Sequence, residues 1–242
     1  MKPAFYALKT GGWRDYVTLL HPPYTAWHLS YVVVGGCLAP VVPWGRLGLT
    51  VLAFALAMGV GAHALDELNG RPLKTEISNR VLVALAVISV AAAAAIGIAV
   101  ALSTSLWLLL FVAVGAFLVP AYNLELFGGL LHSDLWFGLA WGAFPVLTAY
   151  FACAERLRAE AVVAAVWATL LSLGQRALST PVRRVRRDVA AVNGELELRS
   201  GESEPISTEL LVAGPELALR LLTASTVAIA AALMVLRAWP LE

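Results

Sequence analysis

The chain has 242 residues, 60% of them hydrophobic and 14% charged, with a formal net charge of +1 and a mean hydropathy of +0.79. An ordinary soluble domain carries about a quarter of its residues charged, so that class is excluded. A nucleic-acid-binding surface is excluded as well, because the arginines abut an apolar stretch without interleaved aromatics.

Seven apolar stretches follow one another, at residues 24–43, 47–65, 81–103, 106–120, 135–153, 161–178 and 215–236. Most reach the roughly 17–25 residues that a spanning helix needs. A bilayer demands that every backbone group be satisfied within its own segment, and no ~10-residue alternating strands of a barrel are present. The expected fold is therefore an all-α, polytopic bundle of about seven spanning helices, with residues 1–242 as one domain. Residues 1–20 place Trp13 and Tyr16 among basic side chains, which fits either an amphipathic segment on the membrane surface or a frayed terminus. His21-Pro22-Pro23 breaks the chain before the first stretch, and no signal-peptide cleavage pattern follows. His21 and His28, at the entry to that stretch, read as structural histidines. The stretch at 106–120 is short enough to be tilted or partly re-entrant. Cys37 and Cys153 lie in apolar runs without metal-ligand spacing and read as buried free thiols. Residues 179–214 form the longest connection. Within it Glu195-Leu196-Glu197-Leu198-Arg199 alternates like a short strand, although a solvated linker is the favoured reading.

Charge sets an orientation. With the N-terminus in the cytoplasm, all of the 17 Lys and Arg residues except Arg46, Arg156, Arg158 and Arg237 fall inside, as the positive-inside rule requires. The connections at about 66–80, 121–134 and 179–214 then share the cytoplasmic side, and nearly all candidate chemistry lies on them.

The densest cluster ends the second stretch: His63, Asp66, Glu67, Asn69, Arg71 and Lys74. A charge at membrane depth costs roughly 2.5–3.5 kcal/mol on insertion scales, so such residues mark function by default. His63 and Glu67 are four apart and share a helix face, with Asp66 beside them. Paired carboxylates suit Mg²⁺, which is commonly bound jointly with substrate phosphates. Arg71 and Lys74 are then placed for the oxygens of a diphosphate. The alternative is a helix end reaching the headgroup layer. A second basic cluster, Arg183, Arg184, Arg186 and Arg187, is either a phosphate grip or an anchor for anionic lipids.

The whole pattern resembles the UbiA superfamily of intramembrane prenyltransferases. In that family the second helix ends in Asn-Asp-x-x-Asp-x-x-x-Asp, followed shortly by Arg-Pro. Anchored on Arg71-Pro72, the last two aspartates fall at His63 and Glu67, with Asp66 adjacent, while the leading Asn-Asp falls at Gly59-Val60 and is missing. His21-Pro22-Pro23-Tyr24-Thr25 is similar to the family's Arg-Pro-x-Thr entry, Tyr122-Asn123 to its Tyr-Ser passage, and Trp141-Gly142 with Pro145 to its Trp-Gly-x-x-Pro passage. The resemblance covers residues 14–190 and implies a site in which Asp66 and Glu67 hold Mg²⁺. His63, Asn69, Arg71, Lys74, Asn123, Arg183 and Arg184 would bind substrate, and Tyr122 would take part in catalysis beside an allylic cation. The substrates implied are a prenyl diphosphate and a lipophilic or small-molecule acceptor.

Two departures bear on function. Arginines stand where the family's second acidic motif belongs, with Asp188 the one acidic residue, and seven stretches replace the usual nine helices. A second copy of the chain is one source of the missing pair. Besides the transferase, three readings therefore stay open: a terpene cyclase using the same ionisation, a non-catalytic relative that binds a lipid or a partner protein, and, least favoured, a small transporter.

Overall fold

The structure is a computed structural model that describes residues 2–239. It is an all-α bundle. After a short helix α1 (Trp13–Leu19) come seven rods: α2 (Pro22–Leu38), α3 (Trp44–Leu68), α4 (Asn79–Ser103), α5 (Leu108–Asn123), α6 (Asp134–Ala154), α7 (Ala159–Arg187) and α8 (Thr208–Ala238). All but α2 and α5 are long and apolar enough to cross a membrane, as a multi-pass membrane protein requires, and α5 is a shorter apolar helix.

The boundaries follow local chemistry. The stretch expected to run to residue 43 stops at Leu38, because Ala39 precedes Pro40 and is extended (φ −60°, ψ 147°). Helix α4 is capped by Ser78, whose side chain accepts from the Val81 N–H, and α8 by Ser207, which accepts from Leu210. Helix α7 runs on through Pro181 to Arg187, and α8 begins at Thr208, so the connection between them is 188–207 rather than 179–214. Inside it the alternating segment does form a strand: β1 (Glu195–Glu197) pairs antiparallel with β2 (Ser203–Pro205) in an exposed hairpin.

Helix α2 is the axis, packed on α3, α6, α7 and α8. Small residues set the spacing. A Cβ on Gly35 would lie 2.3 Å from the Val146 carbonyl oxygen, and one on Gly142 would lie 2.6 Å from that of Ala168. Backbones can approach this closely only where side chains are absent. Trp27 and Tyr31 of α2 are fully buried between α6 and α7, with Val146 and Ala168 in the same cluster. A buried bidentate pair, Arg186 to Glu216, locks α7 to α8.

Helices α3 and α6 each contain a π-helical passage, at Ala55–Ala62 and Leu139–Ala143. A π turn leaves a backbone carbonyl without its usual helical partner and is frequent at functional sites. Both passages do so here: Gly59 accepts from His63 Nδ1 at 3.0 Å, and Trp141 accepts from His28 Nδ1 at 2.8 Å.

Candidate functional site

A cavity of about 320 Å³ lies at one end of the bundle, where α2 and α6 begin and α3, α5 and α7 end. Residues Pro3–Tyr6 also line it. The N-terminal segment is thus drawn inward, leaving Trp13 and Tyr16 at the surface. Asp15 fixes its base by accepting from Gly11 N–H at 2.9 Å and Glu76 N–H at 2.8 Å.

Helix α7 supplies the basic wall. Gln175, Arg176, Ser179, Val182, Arg183 and Arg187 recur every three or four residues and all line the cavity. Arg176 is held in place: it pairs with Asp134, donates to the Tyr122 hydroxyl at 2.6 Å, and lies over the Phe137 ring. Among the described residues Arg183 bonds only Thr180 Oγ1 of its own helix (3.2 Å) and Arg187 only the Pro3 carbonyl at 3.4 Å, which leaves donors of both to the cavity. Arg184, expected at the site, is exposed and does not line this cavity.

The acidic cluster divides. Asp66 lines the cavity and its carboxylate has no hydrogen bond or ion pair among the described residues. Glu67 turns the other way and is fully buried. It accepts from Leu73 N–H (2.9 Å), Thr75 N–H (2.8 Å) and Thr75 Oγ1–H (2.9 Å). Arg71 (φ 54°) donates to the carbonyls of Thr75 and Ile77 and to Asn79 Oδ1. Lys74 is exposed. Glu67, Arg71 and Lys74 therefore belong to the loop and not to the cavity. Asn69 and Asn123 do line it, and are joined by a 3.3 Å bond from the Asn69 amide to the Asn123 carbonyl.

All four histidines of the chain line this one cavity. His63 stacks on His21 with centroids 4.1 Å apart and planes 8° from parallel. His28, His63 and His132 each point Nδ1 at a backbone carbonyl, of Trp141, Gly59 and Tyr122. A carbonyl only accepts, so Nδ1 carries a proton in each ring and Nε2 is the ring nitrogen left to the cavity. Tyr122 packs edge-on to Trp141 and beside His132.

Below lies an apolar crevice of about 100 Å³ between α3, α4, α5 and α6. Met58 and Trp141 line both spaces, and each sits in a π-helical passage. The site is therefore a polar, basic chamber with an apolar slot adjoining it at Met58 and Trp141. That shape and chemistry suit an amphiphile with an anionic head.

The magnesium implied by the resemblance does not fit this carboxylate set. Glu67 is filled by three donors on the far side of the helix, which leaves Asp66 without its neighbour. Among the described residues no three His, Cys, Asp or Glu side chains converge as metal ligands. No family model, curated protein or solved structure matches the chain.

Sequence reasoning passed over Tyr6, Gln175 and Arg176, and read His21 as structural. For those on α7 a signal existed: the spacing of residues 175, 176, 179, 183 and 187 keeps one face polar through an otherwise apolar helix. For Tyr6 none did.

Proposed function

We propose that the chain is a membrane-embedded protein of UbiA type that takes a prenyl diphosphate, head in the basic chamber and tail in the slot, and passes the prenyl group to an acceptor. The observation that carries this reading is the adjacency of the two spaces, which share Met58 and Trp141 in their linings, with Arg176, Arg183 and Arg187 on one wall of the chamber. Positive residues dominate the chamber's end of the molecule, which supports a cytoplasmic face for it.

In this reading the C1–O bond of the prenyl diphosphate breaks heterolytically. The electron pair leaves with the diphosphate, whose charge the arginines neutralise through charge-assisted hydrogen bonds in a site shielded from water. The faces of Tyr122 and Trp141 stand where an allylic cation would form. The acceptor's nucleophilic atom bonds to C1, and its proton passes to Asp66 or to an Nε2 lone pair. No step is assigned to a metal. A second reading has a specific observation behind it: with Glu67 removed from the chamber, the same geometry serves a binder that holds the amphiphile without turning it over.

The test is the melting midpoint of the detergent-purified protein with geranyl, farnesyl and geranylgeranyl diphosphate, in EDTA and in Mg²⁺. A ligand at a hundred times its dissociation constant stabilises by about 2.7 kcal/mol. The expected result is a rise that survives EDTA and disappears in the Arg183→Gln/Arg187→Gln variant. No rise with any chain length overturns the proposal. A rise with no release of pyrophosphate in the presence of candidate acceptors favours the non-catalytic binder.

A further inference from the structure

Two buried polar side-chain atoms have no hydrogen-bond partner among the described residues: His21 Nε2 and Gln175 Oε1. Both residues line the basic chamber, at 8% and 3% exposure. Leaving a buried polar group unpaired costs about 1–3 kcal/mol, so each such atom asks for a partner.

His21 is held in an unusual way. Its backbone is left-handed (φ 45°, ψ 56°) at the cap of α2, where its carbonyl accepts from the N–H groups of Tyr24 and Thr25. One face of the ring lies on His63. Nδ1 meets the hydroxyl of Tyr6 at 2.9 Å, and that hydroxyl has no other partner among the described residues. Burial, then the neighbouring Tyr24, pushes the Tyr6 phenol well above its ordinary 10, so it keeps its proton. Burial, then His63, Arg187 and Arg183, holds the His21 imidazole well below its ordinary 6.5, so it is neutral. If Nδ1 carried the hydrogen, the buried phenol proton would have no acceptor. With Tyr6 donating to Nδ1, every atom of the pair is satisfied except Nε2–H, which is left as a donor in the chamber.

We propose that His21 is a ligand for a phosphate headgroup, giving its Nε2–H to a non-bridging oxygen beside Arg183 and Arg187, and that Tyr6 is the residue that sets its tautomer. This rests on the headgroup reading above. It makes the N-terminal segment part of the binding site: the residue that chooses the donor atom is delivered by a strand of chain fifteen residues upstream. A neutral donor adds geometric selection to the arginines, since it rewards an oxygen placed in the imidazole plane and not merely negative charge.

The experiment measures affinity of the full chain in detergent for inorganic pyrophosphate and for geranyl diphosphate, using His21→Leu, His21→Gln, Tyr6→Phe and Arg183→Gln, alongside ¹⁵N-histidine spectra of the unsubstituted protein. Loss of a hydrogen bond to a charged group is expected to weaken both ligands roughly tenfold or more in His21→Leu. His21→Gln, which restores an N–H donor, recovers most of that loss. Tyr6→Phe weakens binding less, and moves the His21 spectrum towards a mixture of tautomers, a change that a purely structural role would not produce. If Arg183→Gln loses affinity while a folded His21→Leu binds both ligands normally, this inference is overturned and the headgroup reading stands. If the unsubstituted chain binds neither ligand, both fall. Should His21→Leu fail to fold, the spectra decide: a proton on Nδ1, or a His21 Nε2 resonance unmoved by pyrophosphate, overturns the inference.

Discussion

The turn at the end of α3 and the end of α7 carry similar numbers of charged residues and use them in opposite ways. In the turn, Glu67, at the end of α3, accepts three hydrogen bonds from Leu73 and Thr75 of the loop, and Arg71 donates to the carbonyls of Thr75 and Ile77 and to Asn79. On α7, Arg183 and Arg187 face open space, with one weak or local bond apiece. Charge that is satisfied within its own segment builds structure. Charge that a rigid helix holds without a partner is available to a ligand. The difference is not in residue type but in whether loop backbone lay within reach to consume it.

Three substitutions sharpen the contrast, and the first has the largest effect. Replacing both Arg183 and Arg187 by Gln should weaken geranyl diphosphate binding by roughly a hundredfold or more, at about 1.5–3 kcal/mol per charged hydrogen bond. The melting midpoint of the unliganded protein should hardly change. Wild-type affinity in that variant would erase the distinction between the two regions. Glu67→Ala should do the reverse: it strands three buried donors, costs roughly 2–5 kcal/mol of stability, and leaves affinity per folded molecule unchanged. A Glu67 variant that melts normally but loses magnesium-dependent ligand binding would restore it to the chamber. Arg71→Ala belongs to the same class with a smaller loss, about 1–2 kcal/mol, because its bonds lie at a partly exposed edge.

These cases show what the sequence made legible. Length and hydropathy were enough for an all-α membrane bundle, since apolar runs of spanning length admit few other structures. The element ends that moved did so for local reasons: Pro40 shortened α2, while α7 and α8 extended as polar helices beyond the apolar runs. In the site, the expected residues Asp66, His63, Tyr122 and Arg183 line the cavity because helix position fixes them. Glu67 and Arg71 do not, because their fate depends on how residues 69–78 fold back, and a run of charges carries no information about which backbone groups will come within 3 Å of it. The role of Tyr6 was invisible for a related reason: only the tertiary path of the N-terminal segment brings it to His21.

The smallest expected effect concerns acid. Because the fold holds His21 neutral, its imidazole binds a proton in the unfolded chain below about pH 6.5 and resists doing so in the folded one. The unfolded state then carries more protons, so stability is fully present above the unfolded value and declines as pH falls through and below it. A drop of one unit below that point should remove on the order of 1 kcal/mol. Midpoints recorded from pH 7.5 to 5.5 should therefore fall more steeply for the unsubstituted protein than for His21→Gln, which cannot titrate. The other histidines are present in both proteins, so the comparison isolates His21 together with its coupling to the stacked His63 ring. Parallel curves would mean that His21 gains its proton in the folded state as readily as in water. The ring would then not be sealed between Tyr6 and His63, and the donor assigned to the chamber would be an imidazolium, indifferent to Tyr6.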